Sequence, residues 1–251
     1  MKHLLFHLYE CFLPRRCVCC KQFLLEGEKE LCSSCMTALP LFRYSSFTEN
    51  ELVRRIWNFT DAQRAVSLLY FVAQHPSHEI FMKLKFQGRA DVALQMGRLL
   101  ASVFSPGLFF EGIDYLIPVP LHPKRLKQRG YNQAEQLAKG ISAQTSIPLL
   151  CNVLCRVRDT RKQTDLNVLS RFENVQGAFG VGEAGSQIGF LSLLGRKKTI
   201  SIPDLNQKHV LLVDDVVTTG ATVSAAAQAL YSAFPNVRVS VVCLGTTIRN
   251  H

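Results

Sequence analysis

Apolar and polar positions divide most of the chain into short recurrent blocks. Residues 90–103 place apolar side chains on one face at helical spacing, and residues 133–144 read as a second helix after a basic loop. Between them, residues 115–119 are a short apolar run with Asp114 in front and Pro120 behind, the mark of a buried strand. Residues 209–213 form a stronger strand that ends in acids, and residues 237–244 form another. A helix is expected between these two, over 220–230. Strands separated by helices predict an α/β fold with a mostly parallel sheet covered on both faces. Ligands of such sheets bind beyond the carboxyl ends of the strands.

The pattern upstream is less regular. Residues 79–86 mix apolar and basic positions and lead through Gly88 into the helix at 90–103. Residues 62–74 are apolar largely on one side and predict a helix ended by Pro76. Trp57 and Phe59 are expected in the core or at a domain contact rather than as a platform for a nucleobase. The resulting organisation is a cysteine-rich module over 1–40, a connector over 41–78 and a main domain over 79–251.

Cysteine spacing assigns chemistry to the first part. Nine cysteines are present, and six of them lie within the first 35 residues. Cys17 and Cys20 frame one C-x2-C pair, and Cys32 and Cys35 frame a second. Each such turn lets two sulfurs face one ion, and two turns complete a tetrahedron. Four thiolates with no open position describe a structural zinc site. Cys19 could replace Cys17 or Cys20, although only the latter two match the spacing of the second pair. Cys11 lacks a paired partner and reads as a packed or idle thiol. The segment between the pairs, 21–31, is suited to a short hairpin. A module this small gains much of its folding energy from the metal.

Composition narrows the setting. The chain has 251 residues and is 47% hydrophobic, enough for one α/β domain with a small appendage and too apolar for disorder throughout. Its formal charge of +10 favours anionic partners, nucleic acid among them, without naming one. A membrane span needs roughly 18 or more mostly apolar residues, and none is evident, so no membrane insertion is expected. Lys2 and His3 precede a moderately apolar stretch, but His7 and Glu10 interrupt it and no small-residue cleavage site follows before Arg15 and Arg16. A cytoplasmic, reducing location is therefore expected, and there metal binding accounts for clustered cysteines better than disulfides do.

The most informative run is V-L-L-V-D-D-V-V-T-T-G-A-T, residues 210–222. Four apolar residues bury a strand, and Asp214 and Asp215 stand where it ends. Val216 and Val217 lead into a loop carrying Thr218, Thr219, Gly220, Ala221 and Thr222. The glycine permits a tight turn, and backbone N–H groups at the helix start can cup a phosphate. A phosphate held there places the rest of the ligand over the carboxylates, which suit ribose hydroxyls or a hydrated magnesium ion. No G-K-[ST] follows the glycine and no G-x-G-x-x-G is present, so neither a Walker loop nor a dinucleotide fingerprint is at hand.

This run resembles the phosphoribosyl-pyrophosphate signature of type I phosphoribosyltransferases. The resemblance implies that Asp214 and Asp215 face the 2- and 3-hydroxyls of ribose, that residues 218–222 hold the 5-phosphate, and that magnesium travels mainly on pyrophosphate and ribose oxygens. Other segments narrow the likeness: P-V-P-L-H-P-K-R-L-K-Q-R-G-Y-N-Q at 118–133, L-K-F-Q-G-R at 84–89, R-x-R-x-T-x-x-Q-T-x-L at 156–166 and N-V-Q-G-A-F at 174–179. Together with the four-cysteine module they resemble the ComF-type competence proteins along nearly the whole chain. Members of that family are linked to natural transformation, in which incoming DNA is handled as a single strand.

Several basic residues then become candidate ligands for pyrophosphate or DNA phosphate. Lys124, Arg125, Lys127 and Arg129 are crowded after the strand ending at Val119, and such charges repel unless an anion offsets them. In the type I fold the loop after the first core strand grips pyrophosphate; here that is 119–122, with Arg129 reaching in. Lys83, Lys85 and His122 join the same set. Arg161 and Lys162 lie in a basic, polar segment, 156–171, where the family carries an active-site loop. The chain departs from the family in a longer segment between Phe179 and His209, where Arg196, Lys197 and Lys198 add a second basic patch.

The expected function is DNA uptake in natural transformation: a protein that binds single-stranded DNA and carries a phosphoribosyl-pyrophosphate site, with other transformation proteins as possible partners. The alternative is a metabolic phosphoribosyltransferase with a nucleobase or amine acceptor. Type I domains are often dimers, so the resemblance also admits a homodimer.

Overall fold

The computed structural model describes residues 15–158, 177–182 and 202–248. Four strands form one parallel sheet: β1 (Ala65–Phe71), β2 (Tyr115–Pro118), β5 (His209–Val217) and β6 (Arg238–Thr247), in the order β1-β6-β5-β2. A separate antiparallel pair, β3 (Leu154–Arg156) and β4 (Phe179–Val181), lies beside it. The helices are α1 (Ser33–Thr37), α2 (Glu51–Trp57), α3 (His78–Phe86), α4 (Ala90–Phe104), α5 (Pro123–Arg129), α6 (Gln133–Thr145) and α7 (Ala221–Ala233).

Alternation along β5 explains the two layers. Leu211 and Val213 join a cluster with Ile80, Phe81 and Leu84 of α3, Met96 and Leu100 of α4 and Leu137 of α6. Val210 and Leu212 join a second cluster with Leu52, Val53 and Ile56 of α2 and Val223, Ala226 and Leu230 of α7. Successive strand side chains point to opposite faces, so a strand covered on both must be apolar throughout. The fold class expected from the sequence is observed.

Three local expectations are corrected. Residues 62–74 are not a helix; they contain β1, paired in parallel with β6 from Ala65↔Val241 to Phe71↔Thr247. A short continuous apolar run fits a buried strand and a buried helix equally by periodicity, and the neighbouring β6 edge decides. The strand at 209–213 does not stop at the acids: β5 continues to Val217, with Asp214 opposite Cys243 and Val217 opposite Thr246. Trp57 lies outside the core, the first of the two places expected for it. It is 48% exposed, with its indole N–H donating to the Ala62 carbonyl at 3.0 Å.

The cysteine-rich segment is built into the sheet's own core. Val18, Cys19, Leu31 and Cys32 are buried in the cluster that contains α3 and α4. The segment expected as a hairpin, 21–31, instead pairs back onto the first cysteine turn, with an Arg16↔Phe23 bridge and Val18 N–H donating to the Glu30 carbonyl at 2.8 Å; within it a turn joins Glu28 N–H to the Leu25 carbonyl at 3.1 Å. Lys21 pairs with Glu79 on α3 and Arg89 pairs with Glu30, each at 2.6 Å. Both ion pairs are partly solvated and orient more than they stabilise. Residues 1–14, 159–176, 183–201 and 249–251 lie outside the described residues, so Cys11, Arg161, Lys162 and the patch at 196–198 are not placed.

Helices α4 and α6 meet through two glycines. A Cβ built on Gly97 would overlap the Leu137 carbonyl oxygen, and one on Gly140 would overlap that of Leu94. Both obstacles are backbone, so no side chain can rotate away. Gly97→Ala should gain up to about 1 kcal/mol of helix propensity and lose more by forcing the helices apart. We expect a net loss of about 2 kcal/mol, read as a lower urea midpoint at unchanged slope. An unchanged or higher midpoint would refute the close-contact account.

Candidate functional site

The loop after β5 is held from below by a helix of the upstream segment. Gly220 adopts φ +90°, and a Cβ there would lie 3.2 Å from the Arg55 carbonyl oxygen. Glycine is thus required for conformation and for space. The Arg55 guanidinium is 3% exposed. It donates to the Thr218 carbonyl at 3.2 Å, Thr246 Oγ1 at 3.1 Å and the Thr247 carbonyl at 2.7 Å, and pairs with Glu51 at 3.1 Å. Thr246 Oγ1 in turn donates to the Val217 carbonyl at 2.8 Å. Both Nη groups of this buried cation are thereby paired, which offsets much of the cost of its desolvation. Arg55 was not among the residues expected from the sequence. Its trace there is an arginine on the same helical stripe as Leu52, Val53 and Ile56, all of which are buried.

Asp214 and residues 216–223, which include Thr218, Thr219, Gly220, Ala221 and Thr222, line one small cavity at the start of α7. Asp214 is buried and accepts from the Asp215 backbone N–H at 2.8 Å. Burial, then the charge of Asp215, push its carboxyl well above the ordinary aspartate range. Asp215 faces another way as well: its Oδ2 lies 3.4 Å from Lys85 Nζ in an ion pair. The acids and the loop therefore share one sheet end, and Lys85 reaches them from α3.

Lys85 also lines a larger cleft of about 590 Å³, together with Phe86, Gly88, Arg125, Gln128 and Arg129. The cleft's geometry depends on the Leu84 carbonyl at the end of α3. Tyr131 Oη donates to it at 2.6 Å and Gln133 Nε2 at 3.0 Å, while Gln133 Oε1 accepts from Arg129 at 3.0 Å. Burial pushes the Tyr131 phenol up to about 12, so it remains a donor. Asn132 donates to the Val119 carbonyl at 3.1 Å and caps α6. The Y-N-Q run thus fixes α3 and α5 relative to β2.

Of the expected basic residues, Lys85, Arg125 and Arg129 come together in this cleft. Lys124 and Lys127 are exposed on α5 outside its lining, and Lys83 donates to Gln87 at 2.6 Å. His122 caps α5, its Nδ1 accepting from the Lys124 N–H at 3.3 Å.

In the N-terminal segment the Sγ atoms of Cys17, Cys20, Cys32 and Cys35 all lie within 4.8 Å of one another, with Cys20 and Cys32 at 3.7 Å. Sulfurs bound tetrahedrally at about 2.3 Å to one ion sit about 3.8 Å apart, so the set fits a closed four-thiolate metal site. Backbone N–H groups of Cys32 and Cys35 donate to Cys17 Sγ and Cys32 Sγ, each at 3.4 Å. Cys19 is outside the cluster, and burial pushes its thiol up to about 12. No helix among the described residues is long and apolar enough to cross a membrane.

No protein-family model matches the chain. Competence protein F of Haemophilus influenzae is 26% identical over 227 residues, covering 87% of this chain and 92% of its own. DNA utilization protein YhgH of Escherichia coli is 28% identical over 158 residues, 62% of this chain and 61% of its own. Competence protein ComFC of Bacillus subtilis is 26% identical over 152 residues, so the alignment spans about half of that protein, 52%. Among solved structures, a purine phosphoribosyltransferase from Pyrococcus horikoshii aligns over 65% of this chain and 76% of its own, at 17% identity and a TM-score of 0.31.

The raised Asp214 carboxyl has a consequence for stability. A folded-state value above the unfolded one means that stability is lost as pH rises from the ordinary aspartate value, about 4, through the raised one. Asp214→Asn, which keeps the acceptor for Asp215 N–H, is expected to raise the thermal midpoint at pH 7 by about 2–4 °C or more, with the gain vanishing near pH 4. A lower midpoint at pH 7 would mean that the ionised carboxylate is stabilised where it stands.

Proposed function

We propose that this relative of Competence protein F and ComFC acts in DNA uptake, binding single-stranded DNA and carrying a phosphoribosyl-pyrophosphate site. The observation that carries the reading is the convergence at one sheet end of the loop at 218–222, Asp214 and Asp215, and a cation-lined cleft, joined by Lys85. In this reading, the loop's N–H groups and threonine hydroxyls hold the 5-phosphate. Asp214 and Asp215 accept from the ribose hydroxyls, and Lys85, Arg125 and Arg129 face pyrophosphate or DNA phosphate. Magnesium, bound to ligand oxygens beside the two acids, would supply charge neutralisation. Zinc is the ion proposed for the four thiolates, and it would fix the module against α3.

A metabolic phosphoribosyltransferase is the second reading, favoured by the complete loop. The chain's own groups would then orient the sugar and shield its developing charge. Pyrophosphate release with a nucleobase or amine acceptor would support it. Lack of single-stranded DNA binding at low salt, where phosphate contacts are strongest, would remove the direct DNA-binding reading.

Calorimetric titration of phosphoribosyl pyrophosphate with magnesium tests the sugar site. Saturable binding is expected, weakened at least ~100-fold in the Asp214→Asn, Asp215→Asn double variant, since two charge-assisted hydrogen bonds are lost. No heat from folded wild-type protein would leave the loop as scaffold only.

Zinc is tested by elemental analysis and unfolding. One zinc per chain is expected, and Cys17→Ser with Cys35→Ser should lose it and lower the thermal midpoint. Because Cys17 and Cys32 lie in the α3–α4 core cluster, the loss should reach the main fold. A metal-free protein with the same midpoint would refute a structural ion.

A further inference from the structure

We infer that the cleft beside Asp215 seats a base of single-stranded nucleic acid, with the Phe86 ring as its stacking platform and Lys85, Arg125 and Arg129 facing the adjoining phosphates. This rests on the DNA-binding reading above and specifies its site.

Phe86 ends α3. That helix buries Ile80, Phe81 and Leu84, and Phe86 falls off their stripe. Its side chain is 64% exposed while lining the cleft. A lone exposed phenyl is ordinary on a protein surface, and exposure alone assigns nothing. Its surroundings set this one apart. Three cationic side chains line the same cleft, whose volume of about 590 Å³ is in the range of small-ligand sites. Exposed Phe23 offers a contrast, because the Arg16 guanidinium already covers its ring at 4.3 Å.

The combination matches the needs of a flexible polyanion with flat apolar faces. Cations track the phosphates, and an aromatic face accepts any base, so the grip is tolerant of sequence. Gln128 adds an amide donor and acceptor to the same lining. A simple anion such as pyrophosphate would use the cations and leave the ring idle. Phe86 and Gln128 thus point to a nucleotide rather than to phosphate alone. Lys85 lines the cleft and pairs with Asp215, so the base seat adjoins the proposed ribose acids.

Fluorescence anisotropy with labelled oligothymidylate and an abasic strand of equal length tests the inference. Wild-type protein should prefer the base-bearing strand by about five- to a hundredfold, the range for loss of one stacked base. Phe86→Ala should erase that preference without changing the salt slope, and Phe86→Trp should keep it. Arg125→Ala should instead lower the slope by about one. Equal wild-type affinity for the two strands would overturn the inference alone, whatever the variants do. A folded Phe86→Ala protein that retained the preference would do the same. Failure of wild type to bind either strand would overturn the DNA-binding reading itself, and the inference with it.

Discussion

Because β1, β6, β5 and β2 all run the same way, their carboxyl ends coincide, and the groups that leave the sheet there meet in one place. The pairing of β5 with β6 sets the height at which they emerge. It continues past the acids to Val217↔Thr246, so Asp214 is committed to a buried ladder position and the loop begins only at Thr218. Arg55 then ties the Thr218 carbonyl to Thr246 and Thr247. A buried guanidinium with these partners resists displacement, because losing any one leaves charge or carbonyl unsatisfied in a dry site. Loop conformation, acid placement and α2 docking are consequences of the same interaction set.

The opposite layer is organised around the end of α3. Two side chains from elsewhere in the chain fix that end, Tyr131 and Gln133 through the Leu84 carbonyl, while Lys21 holds the first turn of the helix through Glu79. The four-cysteine cluster stands behind Lys21, and its buried residues share a core with α3 and α4. The cysteine-rich segment thereby packs against the helix that presents Lys85 and Phe86.

Electrostatics at the site are unbalanced in the free protein. Asp214 is buried beside Asp215 and its charge is disfavoured there. Lys85 offsets Asp215 from one side at 3.4 Å. Such an arrangement costs stability in the free protein.

Much of this was legible in the chain. Hydrophobic blocks determined β2, β5, β6, α4, α6 and α7, since long helical periods and buried apolar runs admit few alternatives. Spacing determined the two cysteine pairs, and local turn chemistry identified the loop at 218–222. Residues 65–71 were misread as part of a helix because a short buried apolar run has no period that separates strand from helix, and only pairing with β6 decided it. Choice among the basic residues was likewise tertiary. Lys83 and Lys85 look alike in the chain, yet the helix turns one to Gln87 and the other to Asp215. Arg55 and Phe86 acquired their places from elements distant in sequence: Arg55 from β6 and the loop, Phe86 from α5. Local physics could specify which elements form and which chemistry each carries; only packing could decide which side chains from separate elements share one cavity.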